Sequence, residues 1–214
     1  EDELLISFSN CHPELYQKKL ITAPSISSIP PFIYHQVEGD FIETGVWRGG
    51  ACIYAKAIMK SYGITNRKVW VADSFAGLPE PDENKYEADK GDIHSKLEPL
   101  SISREEVENN FKAYGLLDEN VEFLVGWFKD TLPKAPINKI AVLRLDGDMY
   151  ESTIDAMEAL YHKVSPNGYV IVDDYHAVEG CKLAIHDYLE QHCQGESVNI
   201  EEIDGTGVFW KKIS

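Results

Sequence analysis

The first feature of this chain is the alternation of short apolar runs with amphipathic stretches. Apolar runs of strand length lie at 40–43, 68–72, 121–125, 139–145 and 168–172. Four stretches with helical periodicity separate or follow these runs, and their apolar faces include Ile53, Phe111, Met157 and Ile185. Because strands and helices alternate, the pattern predicts a doubly wound, mostly parallel α/β sheet with helices on both faces.

The C-terminal part of the chain predicts a different strand pairing. Two strand-like segments, 198–203 and 207–210, are separated only by Asp204-Gly205-Thr206. So short a connection joins antiparallel neighbours. The predicted fold is therefore a Rossmann-like sheet of seven strands that ends in a C-terminal antiparallel hairpin.

Local features predict where several elements begin and end. Ser103-Arg-Glu-Glu106 has the pattern of a capping box, and Gly63 and Gly115 are typical of helix C-termini. Ser152 is predicted to cap the helix after the fourth strand. Residues 75–102 show no clear periodicity, and a loop of this length is usually functional or mobile.

We expect one catalytic domain at residues 39–214, preceded by an arm or lid at residues 1–38. The first 38 residues are irregular, are broken by prolines, and are too few for a core of their own. Two arrangements stay open: a homodimer formed through the arm, and a chain that is one domain of a larger synthase.

The composition argues against two classes of partner. A formal net charge of -16 is unsuited to nucleic acid, which is bound through Lys and Arg, and to an anionic membrane surface. No apolar run reaches the roughly 20 residues needed to span a bilayer. The start, Glu-Asp-Glu, lacks the basic residues of a signal peptide, and the scattered cysteines fit a reducing cytosol. We therefore expect a cytoplasmic protein.

The clearest chemical feature is a set of aspartates at the ends of the fourth and fifth strands. Asp146 and Asp148 follow one apolar run, and Asp173 and Asp174 follow the next. Ligands of open α/β sheets bind at this edge, and clustered carboxylates require a cation. Oxygen donors suit Mg²⁺, so we predict that it binds to Asp146, Asp173 and Asp174. Asp148 fits the alternative of a turn or helix cap.

A glycine-rich turn follows the first strand, with the sequence Glu43-Thr44-Gly45-Val-Trp-Arg48-Gly49-Gly50. Glycines here let the backbone approach a ligand closely. The spacing is not that of the dinucleotide fingerprint, and Glu43 would repel a pyrophosphate. A ligand with an amino or sulfonium cation fits better, although a tight turn without a ligand is also compatible.

Two more strand ends predict contacts with a nucleoside. Asp73 ends the second strand, where an acid typically accepts hydrogen bonds from a ribose diol. Gly126-Trp127-Phe128 ends the third strand and could frame an adenine by stacking. The alternatives are a helix cap for Asp73 and core packing for the aromatic residues. His176 follows the acids in the sequence. It could contact the substrate, act as a second proton acceptor or simply be exposed.

Taken together, five sequence blocks resemble the macrocin O-methyltransferase (TylF) family. In chain order they are Glu43–Gly50, Asp73-Ser-Phe-Ala-Gly-Leu-Pro79, Gly126-Trp-Phe-Lys-Asp-Thr-Leu-Pro133, Leu145-Asp-Gly-Asp-Met-Tyr-Glu-Ser-Thr153 and Val172-Asp-Asp-Tyr175. The resemblance implies a class I S-adenosylmethionine (SAM) methyltransferase fold. It also implies Mg²⁺-dependent methyl transfer to a hydroxyl, commonly of a sugar on a natural product.

The resemblance also implies roles for individual residues. Glu43, Thr44 and the turn from Gly45 to Gly50, which includes Arg48 and Gly49, would hold the methionine end of SAM. Asp73, with Ser74 nearby, would bind the ribose, and Gly126, Trp127 and Phe128 would line the adenine. The aspartate trio would bind Mg²⁺, which would lower the pKa of the accepting hydroxyl.

The general base and the acceptor contacts are less directly implied. We predict that Asp146 is the base, although a metal ligand is a weak base and some relatives use a histidine near the first aspartate. Tyr150, Tyr175 and His176 flank the acids and are predicted to contact a small-molecule acceptor. The arm and the 75–102 loop match the family least, so the acceptor's identity is not readable.

Three competing functions remain at this point. A nicotinamide-dependent oxidoreductase has a related fold, but the glycine turn does not fit it. A glycosyltransferase that uses Asp146-Gly-Asp148 would leave Asp173 and Asp174 without a role. A non-catalytic SAM-binding domain of a larger synthase is the third alternative, against which the intact acidic trio argues.

Overall fold

A computed structural model describes residues 37–194 and 198–213. The predicted arm, apart from its last two residues, lies outside the described part of the chain. The described residues form a seven-stranded sheet in the order β3-β2-β1-β4-β5-β7-β6. The strands are β1 (Asp40–Thr44), β2 (Val69–Asp73), β3 (Val121–Val125), β4 (Ile140–Leu145), β5 (Val164–Val172), β6 (Glu201–Glu202) and β7 (Val208–Lys211).

The strand directions confirm the predicted α/β topology. Strands β3, β2, β1, β4 and β5 are parallel to one another, whereas β7 is antiparallel to both β5 and β6. The C-terminal hairpin is therefore present. Its first strand is shorter than the sequence pattern predicts, and β5 begins at Val164 rather than Gly168.

Helices cover both faces of the sheet. They are α1 (Gly50–Ser61), α2 (Arg104–Ala113), the four-residue α3 (Phe128–Thr131), α4 (Tyr150–Leu160) and α5 (Glu179–His192). Adjacent residues of β1 pack into opposite cores, because side chains alternate along a strand. Phe41 packs with Met59 of α1 and Phe111 of α2, and Ile42 packs with Met157 of α4 and Ile185 of α5.

The helix ends match the sequence prediction except at α4. Ser103 accepts a hydrogen bond from the Glu106 amide, and Gly63 and Gly115 adopt positive φ after α1 and α2. The prediction that Ser152 caps α4 is wrong. The helix begins two residues earlier, at Tyr150, and Ser152 is buried within its first turn. Residues 75–102 form a loop with three short 3₁₀ turns, at Glu87–Asp89, His94–Lys96 and Glu98–Leu100.

No helix in residues 37–194 and 198–213 is long and apolar enough to cross a membrane. Cys52, Cys181 and Cys193 are buried and form no disulfide with one another in the described part of the chain, and Cys11 lies outside it.

Candidate active site

Hydrogen bonds between strand ends bring the predicted turn and the predicted acids together. The Asp146 amide donates to Thr44 O, and the Asp173 amide donates to Leu145 O, each at 2.9 Å. The ladder therefore continues past the ends of β1, β4 and β5. Gly45 makes this approach possible, because it has φ 85° and an added Cβ would lie 1.8 Å from the Asp146 carbonyl oxygen.

The acidic trio forms a compact group of carboxylates. One oxygen from each of Asp146, Asp173 and Asp174 can be chosen so that all three lie within 4.8 Å of one another. Asp174 is buried, and the other two are partly buried. A set made only of carboxylate oxygens has the donor chemistry that Mg²⁺ prefers.

The positively charged side chain of Arg144, which the sequence patterns did not assign to the site, lies among these acids. Arg144 on β4 donates to Asp146 Oδ2 at 2.7 Å and to Asp173 Oδ1 at 2.6 Å, and it also contacts Glu43. Burial raises the pKa of Asp146 to about 6, with Arg144 acting to lower it and the charge of Asp174 to raise it. Arg144 therefore compensates part of the negative charge at the strand ends.

Glu43 lies beneath the glycine turn rather than on a cavity wall. Its side chain is almost fully buried, one oxygen accepts from Arg144, and the other accepts from Cys52 Sγ at 2.9 Å. Burial raises the pKa of Glu43 to about 7, and Arg144 opposes this shift. The structure thus connects Glu43 to the acidic trio through Arg144.

A cavity of about 370 Å³ opens between the turn, the third strand end and the acids. Of the predicted cofactor residues, Gly45, Asp73, Ser74, Gly126, Trp127 and Phe128 line it. Asp146, Gly147 and Asp148 form another part of its wall. The predicted nucleoside-binding residues and the first aspartate of the trio therefore share one cavity.

Asp73 shapes the cavity through its backbone partners. Its Oδ2 accepts from the Val46 amide at 2.8 Å, and its Oδ1 accepts from the Phe75 amide at 2.7 Å. Burial raises the pKa of Asp73, and these backbone hydrogen bonds oppose the rise. The carboxylate thus fixes the glycine turn against the loop after β2.

Thr44, Arg48 and Gly49 do not line the cavity. Thr44 is buried in the strand ladder, and Arg48 lies 3.6 Å from Glu106 of α2. Gly49 packs so closely on α2 that an added Cβ would lie 2.8 Å from Val107. Their position indicates a role in packing the turn against α2.

The three predicted acceptor contacts also lie off the cavity wall. The Tyr150 hydroxyl donates to Asp187 at 2.9 Å, and Tyr175 Oη lies 2.6 Å from His186 Nε2. His176 Nε2 lies 3.6 Å from Glu202 in the terminal hairpin. The structure places these side chains in contacts with α5 and the hairpin, and they are not among the residues that line the cavity.

Two loop residues, Asp89 and His94, belong to the site although no sequence pattern marked them. Asp89 is 2% exposed and accepts hydrogen bonds from the first two amides of α4. His94 lines the cavity, and its Nδ1 lies 2.7 Å from Asp92 Oδ2. The available sequence clue was the group of polar residues at 89, 92 and 94 in an otherwise irregular loop.

The comparisons with known proteins agree on one family. The sequence profile described as Macrocin-O-methyltransferase (TylF) matches residues 27–212. A 4'-O-methyltransferase of 8-demethyl-8-(2,3-dimethoxy-alpha-L-rhamnosyl)-tetracenomycin-C from Streptomyces olivaceus is 52% identical over 82% of this chain and 66% of its own. Demethyldecarbamoylnovobiocin O-methyltransferase from Streptomyces niveus is 50% identical over 84% of this chain and 68% of its own. The chain thus spans about two thirds of these relatives.

A solved structure supports the same relationship. The structure of the O-methyltransferase NovP has a TM-score of 0.85 and 47% sequence identity to this chain. The match covers 89% of this chain and 80% of that one.

Proposed function

This chain belongs to the macrocin-O-methyltransferase (TylF) family, and we propose that it transfers the methyl group of SAM to a hydroxyl on a small natural product, with Mg²⁺ as cofactor. A sugar hydroxyl is the acceptor that we favour, because the tetracenomycin relative is described as acting on a rhamnosyl compound. The observation that carries the proposal is the shared cavity, which Asp73, Gly126 and Asp146 all line.

The cofactor half of the cavity is built to hold a nucleoside. We assign the ribose to Asp73, which lines the cavity together with Ser74, and the adenine to Gly126, Trp127 and Phe128. Gly45 allows the backbone to approach the methionine end, while Glu43 supports the turn from beneath. Asp73 is already anchored by backbone amides, so it is oriented before the cofactor binds.

The acidic trio fits a divalent cation. Its donors are all oxygens, they lie within one group, and a single arginine offsets only part of their charge. Asp146, Asp173 and Asp174 would hold the ion. A bound Mg²⁺ would supply Lewis acidity that lowers the pKa of the acceptor hydroxyl.

The geometry favours Asp148 over Asp146 as the general base. Asp146 accepts a hydrogen bond from Arg144 and belongs to the trio, which makes it a weak base. Asp148 lies on the cavity wall in the left-handed region, with φ 57°. We propose that Asp148 takes the proton of the acceptor hydroxyl. As the proton leaves, the hydroxyl oxygen bonds to the methyl carbon of SAM and the carbon–sulfur bond breaks, which releases SAH.

Methyl transfer can be tested with isotope-labelled SAM and a panel of natural products that lack one sugar O-methyl group. We expect a labelled product that disappears with a chelator and returns with Mg²⁺. Asp148→Asn should abolish turnover while keeping metal and cofactor affinity, whereas Asp146→Asn should also weaken metal binding. Full activity with the chelator present would overturn the metal proposal, and normal turnover by Asp148→Asn would return the base to Asp146.

The nicotinamide-dependent alternative is not favoured, because the family and the matched relatives are methyltransferases. Calorimetry with S-adenosylhomocysteine (SAH) and with NAD separates the two. We expect heat only with SAH, and tight NAD binding without SAH binding would reverse the choice.

A further inference from the structure

Helix α4 begins immediately after the Asp146-Gly-Asp148 segment, and its N-terminal amides are capped from a remote loop. Asp89 Oδ1 accepts from the Tyr150 amide at 2.7 Å, and Oδ2 accepts from the Glu151 amide at 2.9 Å. The local N-cap residue, Met149, has no side-chain oxygen. A loop residue about 60 positions upstream thus does the work that a neighbouring Ser, Thr or Asp usually does.

The same loop is attached to the cofactor side of the cavity at its other end. Trp47 of the glycine turn donates from Nε1 to the Pro99 carbonyl at 2.9 Å, and both Trp47 and Leu100 line the cavity. Residues 89–99 therefore run from the start of α4 to the glycine turn. We call this segment the strap.

His94 lies in the middle of the strap and is held in a defined orientation. The Asp92 carboxylate accepts from the His94 backbone amide and contacts its ring Nδ1, each at 2.7 Å. His94 lines the cavity with Asp146 and Asp148, and its Nε2 has no hydrogen-bond partner among the described residues. The ring is therefore positioned to meet a polar group of a ligand in the cavity.

We propose that Asp89 is a positioning residue for the methyl acceptor: by capping α4 from the strap, it holds His94 where Nε2 contacts an oxygen of the acceptor. This inference rests on the proposed methyltransferase function and adds a residue pair that selects the second substrate. His94 is the contact residue, and Asp89 acts through it.

The packing around Asp89 indicates that its position is closely determined. Asp89 is buried, which costs solvation energy that a local, exposed cap would not lose. Gly180 in the first turn of α5 leaves room for it, since an added Cβ would lie 3.2 Å from Asp89 Oδ1 and from the Tyr150 nitrogen. Two helices and the strap therefore meet at this carboxylate.

The test compares Asp89→Ala, Asp89→Asn and His94→Ala with a matched control, Asp82→Asn. Asp82 lies in the same loop and is exposed, and its side chain accepts hydrogen bonds from the nearby Asn84 and Lys85 amides. We expect Asp89→Ala to reduce kcat/KM for the acceptor roughly tenfold or more. SAH affinity should change less than about twofold in the same variant, and amide exchange of residues 89–99 should accelerate. Asp89→Asn, which keeps one accepting oxygen, should recover part of the loss.

Three results would overturn the positioning role. The first is an Asp89→Ala protein with lower stability but wild-type kcat/KM. The second is an Asp89→Ala protein that loses SAH affinity as much as it loses acceptor turnover. The third is normal acceptor turnover by His94→Ala, which decides the matter even if Asp89→Ala does not fold. The double variant Asp89→Ala/His94→Ala should have the same kcat/KM for the acceptor as His94→Ala alone. Failure of the wild-type protein to methylate any acceptor would instead count against the proposed function.

Discussion

Arg144 Nη2 donates a hydrogen bond to Asp173 Oδ1 at 2.6 Å, and this contact joins the ends of two neighbouring parallel strands. The same guanidinium contacts Asp146 and Glu43. A cation on β4 therefore holds together acids from β1, β4 and β5. Because the Arg144 side chain is only 14% exposed, its removal would take a buried positive charge away from these three acids.

We expect Arg144→Gln to lower the free energy of unfolding of the metal-free protein by about 3–5 kcal/mol, the usual cost of breaking a buried charge pair from one side. Urea denaturation at pH 8 measures the change. The double variant Arg144→Gln/Glu43→Gln should lose less than the single one, because it also removes a buried negative charge. Equal stability of Arg144→Gln and wild type would show that the arginine does not compensate the acids.

Asp73→Asn should weaken SAH binding roughly 10- to 100-fold. The Asp73 carboxylate accepts from two amides and, as we propose, from the ribose, and the variant would have only one accepting oxygen. Calorimetry gives the affinity, and Asp130→Asn, at an exposed position of α3, is the control. A deoxyribose analogue of SAH should bind to wild type more weakly than SAH does. The Asp73→Asn variant should bind the analogue and SAH with equal affinity. The same preference for SAH in both proteins would exclude the ribose contact.

Gly45→Ala should destabilise the fold by at least about 2 kcal/mol and abolish SAH binding. The added Cβ would lie 1.8 Å from the Asp146 carbonyl oxygen, and the φ of 85° disfavours any residue with a Cβ. Gly63→Ala is an instructive comparison, because Gly63 also has positive φ but no atom within 4 Å. Thermal unfolding should rank wild type, Gly63→Ala and Gly45→Ala in falling order, and equal losses would refute the close approach.

Asp155→Asn should stabilise the protein at neutral pH. Burial raises the pKa of Asp155 to about 6, with the charge of Glu151 adding to the rise, so the folded state disfavours the ionised form. The loss of stability caused by ionised Asp155 is absent below the ordinary pKa near 4, grows between pH 4 and 6, and is complete above pH 6. Denaturation at pH 4.5 and 8 should therefore show a larger gain at pH 8. Glu105→Gln, at an exposed position of α2, serves as the control. A gain independent of pH would contradict the charge explanation.

The sheet and the acidic trio could be predicted from the sequence because their patterns are local. Apolar runs ending in Asp73, Asp146 and Asp173 mark strand ends, and parallel strands bring such ends to one edge. Gly45 could be predicted for the same reason, since a glycine directly after a strand indicates a tight turn.

The strap and the buried arginine depend on contacts between distant parts of the chain. Asp89 caps a helix more than 60 residues away, and no spacing rule connects the two positions. Arg144 is a charge within an apolar run, a pattern that implies a buried partner but does not identify it. Tyr175 and His176 were predicted to contact the acceptor because they follow the acids, yet the chain turns there and takes their rings toward α5 and the hairpin.

We propose above all that Asp146, Asp173 and Asp174 hold a divalent cation beside the cavity. The most direct measurement is an electron paramagnetic resonance titration with Mn²⁺ as a visible substitute for Mg²⁺, performed on the SAH complex. We predict one Mn²⁺ per chain in wild type and in Asp130→Asn, displaced by excess Mg²⁺, and its loss in Asp146→Asn and Asp173→Asn. Unchanged Mn²⁺ binding in both trio variants, or none in wild type, would contradict it.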